Sequence, residues 1–413
     1  MMNYIWLFFL MTGFIAAAMT GNTANLTQSA LDAAGSAVTI AVGLIGIMTL
    51  WLGIMKIAEA AGLIQRLARL LTPISRRLFP DIPADHPAVG TMMLNISATW
   101  LGLGNAATPF GIKAMEQLQA LNGDKECASD AMIMFLALNT AGITLVPMTI
   151  IGVRAGLGSA NPGAVIGTTV FASTTATIAA VTAVKLYGHL ARGRKGLLHL
   201  SKSAWIGGLV LAAVAAGVFL MKRSGVFQFN HSAGLAAFRQ VVQFLSTWTI
   251  PFLLFAIPLT AAIKKINVYE VFIDGAKEGF QVAVRIIPYL AAILVAVAVF
   301  RASGAMALFV RLTSPLTALI GMPAEILPAA LLRPLSGSGS LGVVTELLKT
   351  HGPDSFIGNL ASTIYGCTET TFYVIAVYFG AVGVKKTRYA VPAGLTADLV
   401  GVLASLFICR IVF

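Results

Sequence analysis

Apolar runs of about 20 residues, the length that crosses the hydrocarbon core of a bilayer, are centred near residues 45, 140, 175, 212, 252, 290, 369 and 400. With a shorter apolar stretch from Tyr4 to Met19, they predict nine crossings. That first stretch ends in small residues, Ala16 to Ala18, as a cleavable leader would. It lacks a basic start, however, and the next span follows soon after, so a retained helix is expected.

Two regions break the rhythm. Each starts with an amphipathic piece, Glu59 to Phe79 or Arg301 to Ile320, in which Arg interrupts apolar residues at helical spacing. A helix of that kind lies in the membrane interface. Two apolar runs too short to span then flank a glycine-rich break: Ala88 to Leu101 and Ala106 to Leu121 around Gly102 and Gly104, then Ala324 to Leu335 and Leu341 to Leu348 around Gly337 and Gly339. Non-helical backbone at membrane depth needs protein or a water-filled cavity around it. Each pair of runs is therefore expected to form a re-entrant helical hairpin shaped by those four glycines.

Both regions belong to an internal repeat. Asp32, Ala34, Ala41, Val42, Ile45, Leu52, Ala60, Gly62, Arg69, Leu70 and Pro73 recur 242 residues later as Asp274, Ala276, Ala283, Val284, Ile287, Leu294, Ala302, Gly304, Arg311, Leu312 and Pro315. The echo continues at a shrinking offset, with Gly102 against Gly337, Gly104 against Gly339 and Thr140 against Thr368. The predicted fold is an all-α polytopic membrane protein with two repeats, residues 30–190 and 270–413. A first helix and loop occupy 1–29, and a basic loop with two connecting helices fills 191–269. Repeats of this size in membrane proteins usually build a transport pathway.

Composition agrees. The chain is 57% hydrophobic and 11% charged, against roughly one-quarter charged residues in a soluble domain. Its net charge of +12 arises from Lys and Arg between apolar segments, where membrane topology puts them, so nucleic acid is not an expected partner. A cytoplasmic amino terminus places 18 of the 28 basic residues inside. Five crossings then separate Asp32 from Asp274, an odd number, which inverts the second repeat and leaves the carboxyl terminus outside. The three cysteines and five histidines show no ligand spacing, so neither a metal nor another cofactor is expected. No nucleophile and base stand together either, which argues against an enzyme.

Helix ends at a re-entrant break carry unpaired N–H groups and partial positive charge that can hold a solute. The polar residues there are Asn95, Asn105 and Thr108 at the first break and Arg333, Ser336, Ser338 and Ser340 at the second. The spans that follow are themselves interrupted, at Asn139 and Thr140 and at Thr368, Glu369 and Thr370. Two such breaks near mid-span would meet around a pseudo-twofold axis and form a substrate site with the hairpin tips. For any single serine, a bond back to its own helix is the plainer role. Glu369 is the only charge between Phe356 and Val384; at that depth it must be paired, hydrated or protonated. It either couples an ion and binds solute or pairs with Arg333. Asp398, the sole acid of the last span, either is a second candidate for ion coupling or bonds to a neighbouring helix.

Five runs carry a family resemblance. Leu31 to Thr39, Trp51 to Glu59 and Gly104 to Pro109 resemble the spore maturation A proteins, whereas Pro334 to Ser340 and Gly366 to Tyr373 resemble the spore maturation B proteins. The chain looks like a fusion of the two. The resemblance implies the nucleoside-recognition, or gate, domain, similar also to the membrane part of ferrous-iron transporters and to concentrative nucleoside transporters. For spore formers it implies a role in dehydrating the spore core; fused forms also occur in bacteria without spores. The resulting expectation is a bacterial inner-membrane secondary transporter or flippase-like protein for a small polar or amphipathic solute, coupled to protons or sodium, with a homo-oligomer possible. A factor that organises cell-wall enzymes without transporting is the alternative, and a nucleoside transporter the next.

Overall fold

The computed structural model describes residues 2–21, 23–83, 85–102, 107–191 and 233–413, and regular structure among them is helical. Helix α1 (Met2–Thr20) leads into the long α2 (Thr23–Ala60) and the short α3 (Leu63–Leu78). The pair α4 (Pro87–Trp100) and α5 (Thr108–Leu121) follows, then the pair α6 (Asp130–Thr140) and α7 (Met148–Gly156), then α8 (Ile166–Ala191). After α9 (Ala233–Ile263) the succession returns as α10 (Val268–Ala302), α11 (Ala305–Ala318), α12 (Leu327–Leu332), α13 (Gly337–His351), α14 (Phe356–Cys367), α15 (Thr371–Ala381) and α16 (Ala390–Val412).

Among the described residues, 5 helices are long and apolar enough to cross a membrane: α2, α8, α9, α10 and α16. The chain is a helical, multi-pass membrane protein. The other runs counted in the sequence fall short for separate reasons. In helix α1 the apolar stretch runs only over Trp6–Met19. The runs near 140 and 369 are each two short helices around a non-helical break, and the run near 212 lies outside the described residues.

The same turn starts α3 and α11. Gly62 and Gly304 take the left-handed conformation, with φ of 68° and 83°, which costs a glycine nothing and an L side chain a good deal. In α3 the residues Ile64, Ala68, Leu71 and Ser75 are buried while Arg66, Arg69, Arg76 and Arg77 stay exposed. An amphipathic helix follows directly from that spacing.

Helices α2 and α10 form the most extensive packing in the molecule. A Cβ on Gly275 would lie 2.5 Å from the Leu52 carbonyl oxygen, and one on Gly279 would lie 2.5 Å from that of Met48. The absent side chains let the two backbones touch. In lipid, where burying an apolar side chain gains little, such close backbone packing is a principal attraction between helices. On the other side of the molecule α8 packs along α16, and both α6 and α14 touch both of them.

Two polar clusters tie the halves together at their loops. At the end of α7, fully buried Arg154 donates to the Pro353 carbonyl at 2.5 Å, to Asp354 Oδ1 at 2.9 Å and to the Pro162 carbonyl at 3.2 Å. The other cluster joins the chain after α15 to the start of α6: the Arg388 guanidinium and the Tyr389 hydroxyl each donate to Asp130 Oδ1 at 2.7 Å, and Lys385 reaches Glu126 at 2.6 Å.

Candidate functional site

The site is built where four chain interruptions converge. Helix α4 ends in Gly102, whose φ is 75° and whose N–H donates to the Thr99 carbonyl at 3.0 Å. A Cβ there would lie 2.8 Å from the Val146 carbonyl oxygen, so glycine lets this break rest on the connector between α6 and α7. The Leu145 N–H donates to the Trp100 carbonyl at 3.1 Å across the same contact.

The second break is shorter than the run Ser336 to Ser340 suggests. The Ser336 hydroxyl accepts the Gly339 N–H at 3.0 Å and so satisfies a first-turn donor, restarting the helix at once. Gly337 and Gly339 therefore lie in the first turn of α13 and not in an open loop. Gly337 serves close approach instead, since a Cβ there would stand 2.9 Å from Thr370 Oγ1. The Phe372 N–H donates to the Pro334 carbonyl at 3.0 Å, which docks this break on the α14–α15 interruption.

The two broken helix pairs, α6–α7 and α14–α15, meet directly, through the Glu369 N–H and the Thr140 carbonyl at 2.7 Å. Beside that junction lies a cavity of about 150 Å³, large against the roughly 10–15 Å³ one water needs. The first half lines it with Thr99, Gly102, Thr108, Asn139, Thr144, Pro147 and Thr149. The second half supplies Arg333, Tyr365, Glu369, Tyr373 and Tyr378.

The two walls differ in charge. Arg333, at the end of α12, is only 4% exposed; it donates to the Thr368 carbonyl and lies over the Tyr365 ring, 4.5 Å from its centroid. Its Nε has no partner among the described residues. Glu369 Oε2 is 3.6 Å from the guanidinium, and the Glu369 side chain is 48% exposed. The neutral wall is a hydrogen-bonded chain: Asn95 donates to the Tyr378 hydroxyl at 3.1 Å, and that hydroxyl donates to Asn139 Oδ1 at 3.1 Å. Asn95 also donates to the Ala107 carbonyl at 2.9 Å, fixing the start of α5.

Of the residues singled out in the sequence, Gly102, Thr108, Asn139, Arg333 and Glu369 line the cavity. Asn95 stands one residue behind it, through Tyr378. Thr140 and Thr368 contribute their carbonyls to the junction, and the Thr140 hydroxyl bonds back to Ala137 at 3.0 Å. Thr370 is buried, against Gly337. Ser336 caps α13 with Ser338 3.4 Å away, and Ser340 faces the Ala329 carbonyl at 3.5 Å. Asp398 lies on α16 behind the second break: its Oδ2 accepts the Thr371 hydroxyl at 2.6 Å, and its Oδ1 has no partner among the described residues. Asn105 and Gly104 lie outside the described residues. The three tyrosines were missed, although a hydroxyl in an apolar span needs a partner as much as a threonine does.

With this geometry in hand, the comparisons with known proteins gain a location. The nucleoside-recognition (Gate) family matches residues 41–157 and 283–385, stretches that between them carry every residue lining the cavity. The chain is 49% identical to spore maturation protein B of Bacillus subtilis over 174 residues, 42% of this chain and 98% of that protein. It is 42% identical to spore maturation protein A of the same organism over 196 residues, 48% of this chain and 100% of that protein. No solved structure matches. The chain thus belongs to the nucleoside-recognition (gate) family of membrane proteins, as a relative of spore maturation proteins A and B.

Proposed function

We propose that this protein is an inner-membrane secondary transporter, or a flippase-like protein, for a small polar or amphipathic solute held between the two halves. The observation that carries the reading is the cavity at the junction of the two interrupted spans, which both halves line and which holds one buried arginine and one half-exposed carboxylate. Under this reading the halves are inverted repeats, α4–α5 and α12–α13 are re-entrant hairpins, and the amino terminus is cytoplasmic. Alternating access then exposes one cavity to each face in turn. Glu369 and Asp398 would carry proton or sodium coupling, Glu369 in the cavity and Asp398 behind it on α16.

Access can be tested without knowing the solute. Cys367 and Cys409 are buried, so a Cys127→Ala background leaves Thr144→Cys as the reactive thiol. A membrane-impermeant maleimide added to either face of sealed vesicles, in separate reactions, is expected to label Thr144→Cys from both. Labelling from one face alone would sink alternating access and favour a non-transporting factor that organises cell-wall enzymes.

A further inference from the structure

We propose that the cavity takes a small zwitterion, a solute carrying both a carboxylate and an ammonium group, of the size of an amino acid or a short peptide. The inference rests on the reading of this cavity as a solute site and adds the class of solute.

Among the described residues lining the cavity, only Arg333 and Glu369 are charged. They do not form a closed ion pair. Their separation of 3.6 Å exceeds the roughly 2.7–2.9 Å of a charge-assisted hydrogen bond. Arg333 Nε is buried with no partner among the described residues, while the Glu369 side chain is half exposed. An arginine taken out of water with donors to spare is costly to the fold, and a ligand that accepts from it offsets the cost.

Charge alone then sorts the ligands. A simple anion drawn to Arg333 comes within reach of the Glu369 carboxylate, which repels it about as strongly as the guanidinium attracts it. A simple cation meets the reverse. A neutral solute leaves both charges as they were. A zwitterion answers both, its carboxylate on the guanidinium and its ammonium on Glu369, and the loaded site stays neutral overall, which lowers the barrier to moving it through the membrane. The remaining polar lining among the described residues, Asn139, the threonines and the three tyrosines, is uncharged and imposes no net preference.

Thermal stabilisation of the purified full chain tests this with defined probes: L-alanine, L-alanyl-L-alanine, L-alanine methyl ester, N-acetyl-L-alanine and uridine. Alanine or alanyl-alanine is expected to raise the melting temperature, and which does so separates an amino acid from a peptide. The ester, which lacks the carboxylate, and the acetyl compound, which lacks the ammonium, are expected to bind at least about 10-fold more weakly, as is alanine to Glu369→Gln. The ligand pair keeps the test independent of whether Arg333→Gln folds. Equal binding of either blocked compound, or no binding by both zwitterions, overturns the proposal. Uridine binding without zwitterion binding would keep the solute site and remove this solute class, whereas one-sided labelling of Thr144→Cys would remove transport whatever binds.

Discussion

The two broken helix pairs share one plan and put their charge in opposite places. The first, α6 and α7, has a neutral break at Asn139 and Thr140 and buries a cation at its end, where Arg154 is 0% exposed. The second, α14 and α15, has its charge at the break, in Glu369 beside Arg333, while the cation beyond its end, Arg388, keeps 31% of its side chain exposed. The same backbone device therefore does two jobs. One pair fastens the halves together, and the other presents charge to the cavity.

The sharpest way to break this comparison is to remove Arg154. Its guanidinium donates to the Pro162, Pro353 and Asn161 carbonyls and to Asp354; Arg154→Leu takes that donor from the carbonyls, while half-exposed Asp354 keeps the Ser159 hydroxyl and the Ala160 N–H. A loss of about 3 kcal/mol is expected, on the scale of buried acceptors left without a donor, read as a lower melting temperature. Zwitterion affinity in the protein that remains folded should hardly change. Glu369→Gln predicts the opposite pattern: little change in the unliganded melting temperature, because the side chain is half exposed and the amide has the same shape, with affinity reduced at least about 10-fold. If both substitutions moved stability and binding together, the division of labour would be wrong.

Asn139→Ala probes the neutral break. It removes the acceptor for the Tyr378 hydroxyl and a donor to the Phe135 carbonyl at 2.9 Å. About 1 kcal/mol of stability should be lost, and Tyr378→Phe should cost less in that background than alone, because the Asn139 bond is already gone and only the bond from Asn95 remains to be lost.

How much of this was legible in the sequence depends on the kind of signal. Spans, amphipathic helices and breaks are written in local composition, and α3, α4, α5 and α11 fall within a few residues of where apolar runs and glycines put them. The broken spans at Asn139 and Glu369 were visible because polar residues in an apolar run are costly. The serines of the second break were harder, since Ser336 serves equally as a helix cap or a ligand contact and only geometry separates the two. The Arg154 cluster was illegible: its partners Pro353 and Asp354 are about 200 residues away, and nothing local marks an arginine at a helix end as buried.

The acid limb of stability separates the two fastening clusters further. Burial pushes the Asp354 carboxyl upward, but the Ser159 hydroxyl, the Ala160 N–H and the Arg154 charge together outweigh it and hold the group below its ordinary value of 3.8. A group depressed in the folded state stabilises above its unfolded pKa and loses that contribution as pH falls through the folded one. The melting temperature should therefore fall below about pH 3.8, the unfolded value, and Asp354→Asn should flatten that part of the profile.

The smallest expected effect lies at the exposed cluster. Lys385 and Glu126 are 2.6 Å apart, but their side chains are 72% and 57% exposed, so water and salt compete for both charges. Lys385→Gln should cost at most about 0.5 kcal/mol, and the difference should vanish in high salt. The backbone contacts beside it remain, since the N–H groups of Lys385 and Lys386 both donate to the Glu126 carbonyl at 2.9 Å and need no side-chain charge. A cost near that of Arg154→Leu, insensitive to salt, would mean that the two ends fasten the halves equally and that burial is not what distinguishes the spans.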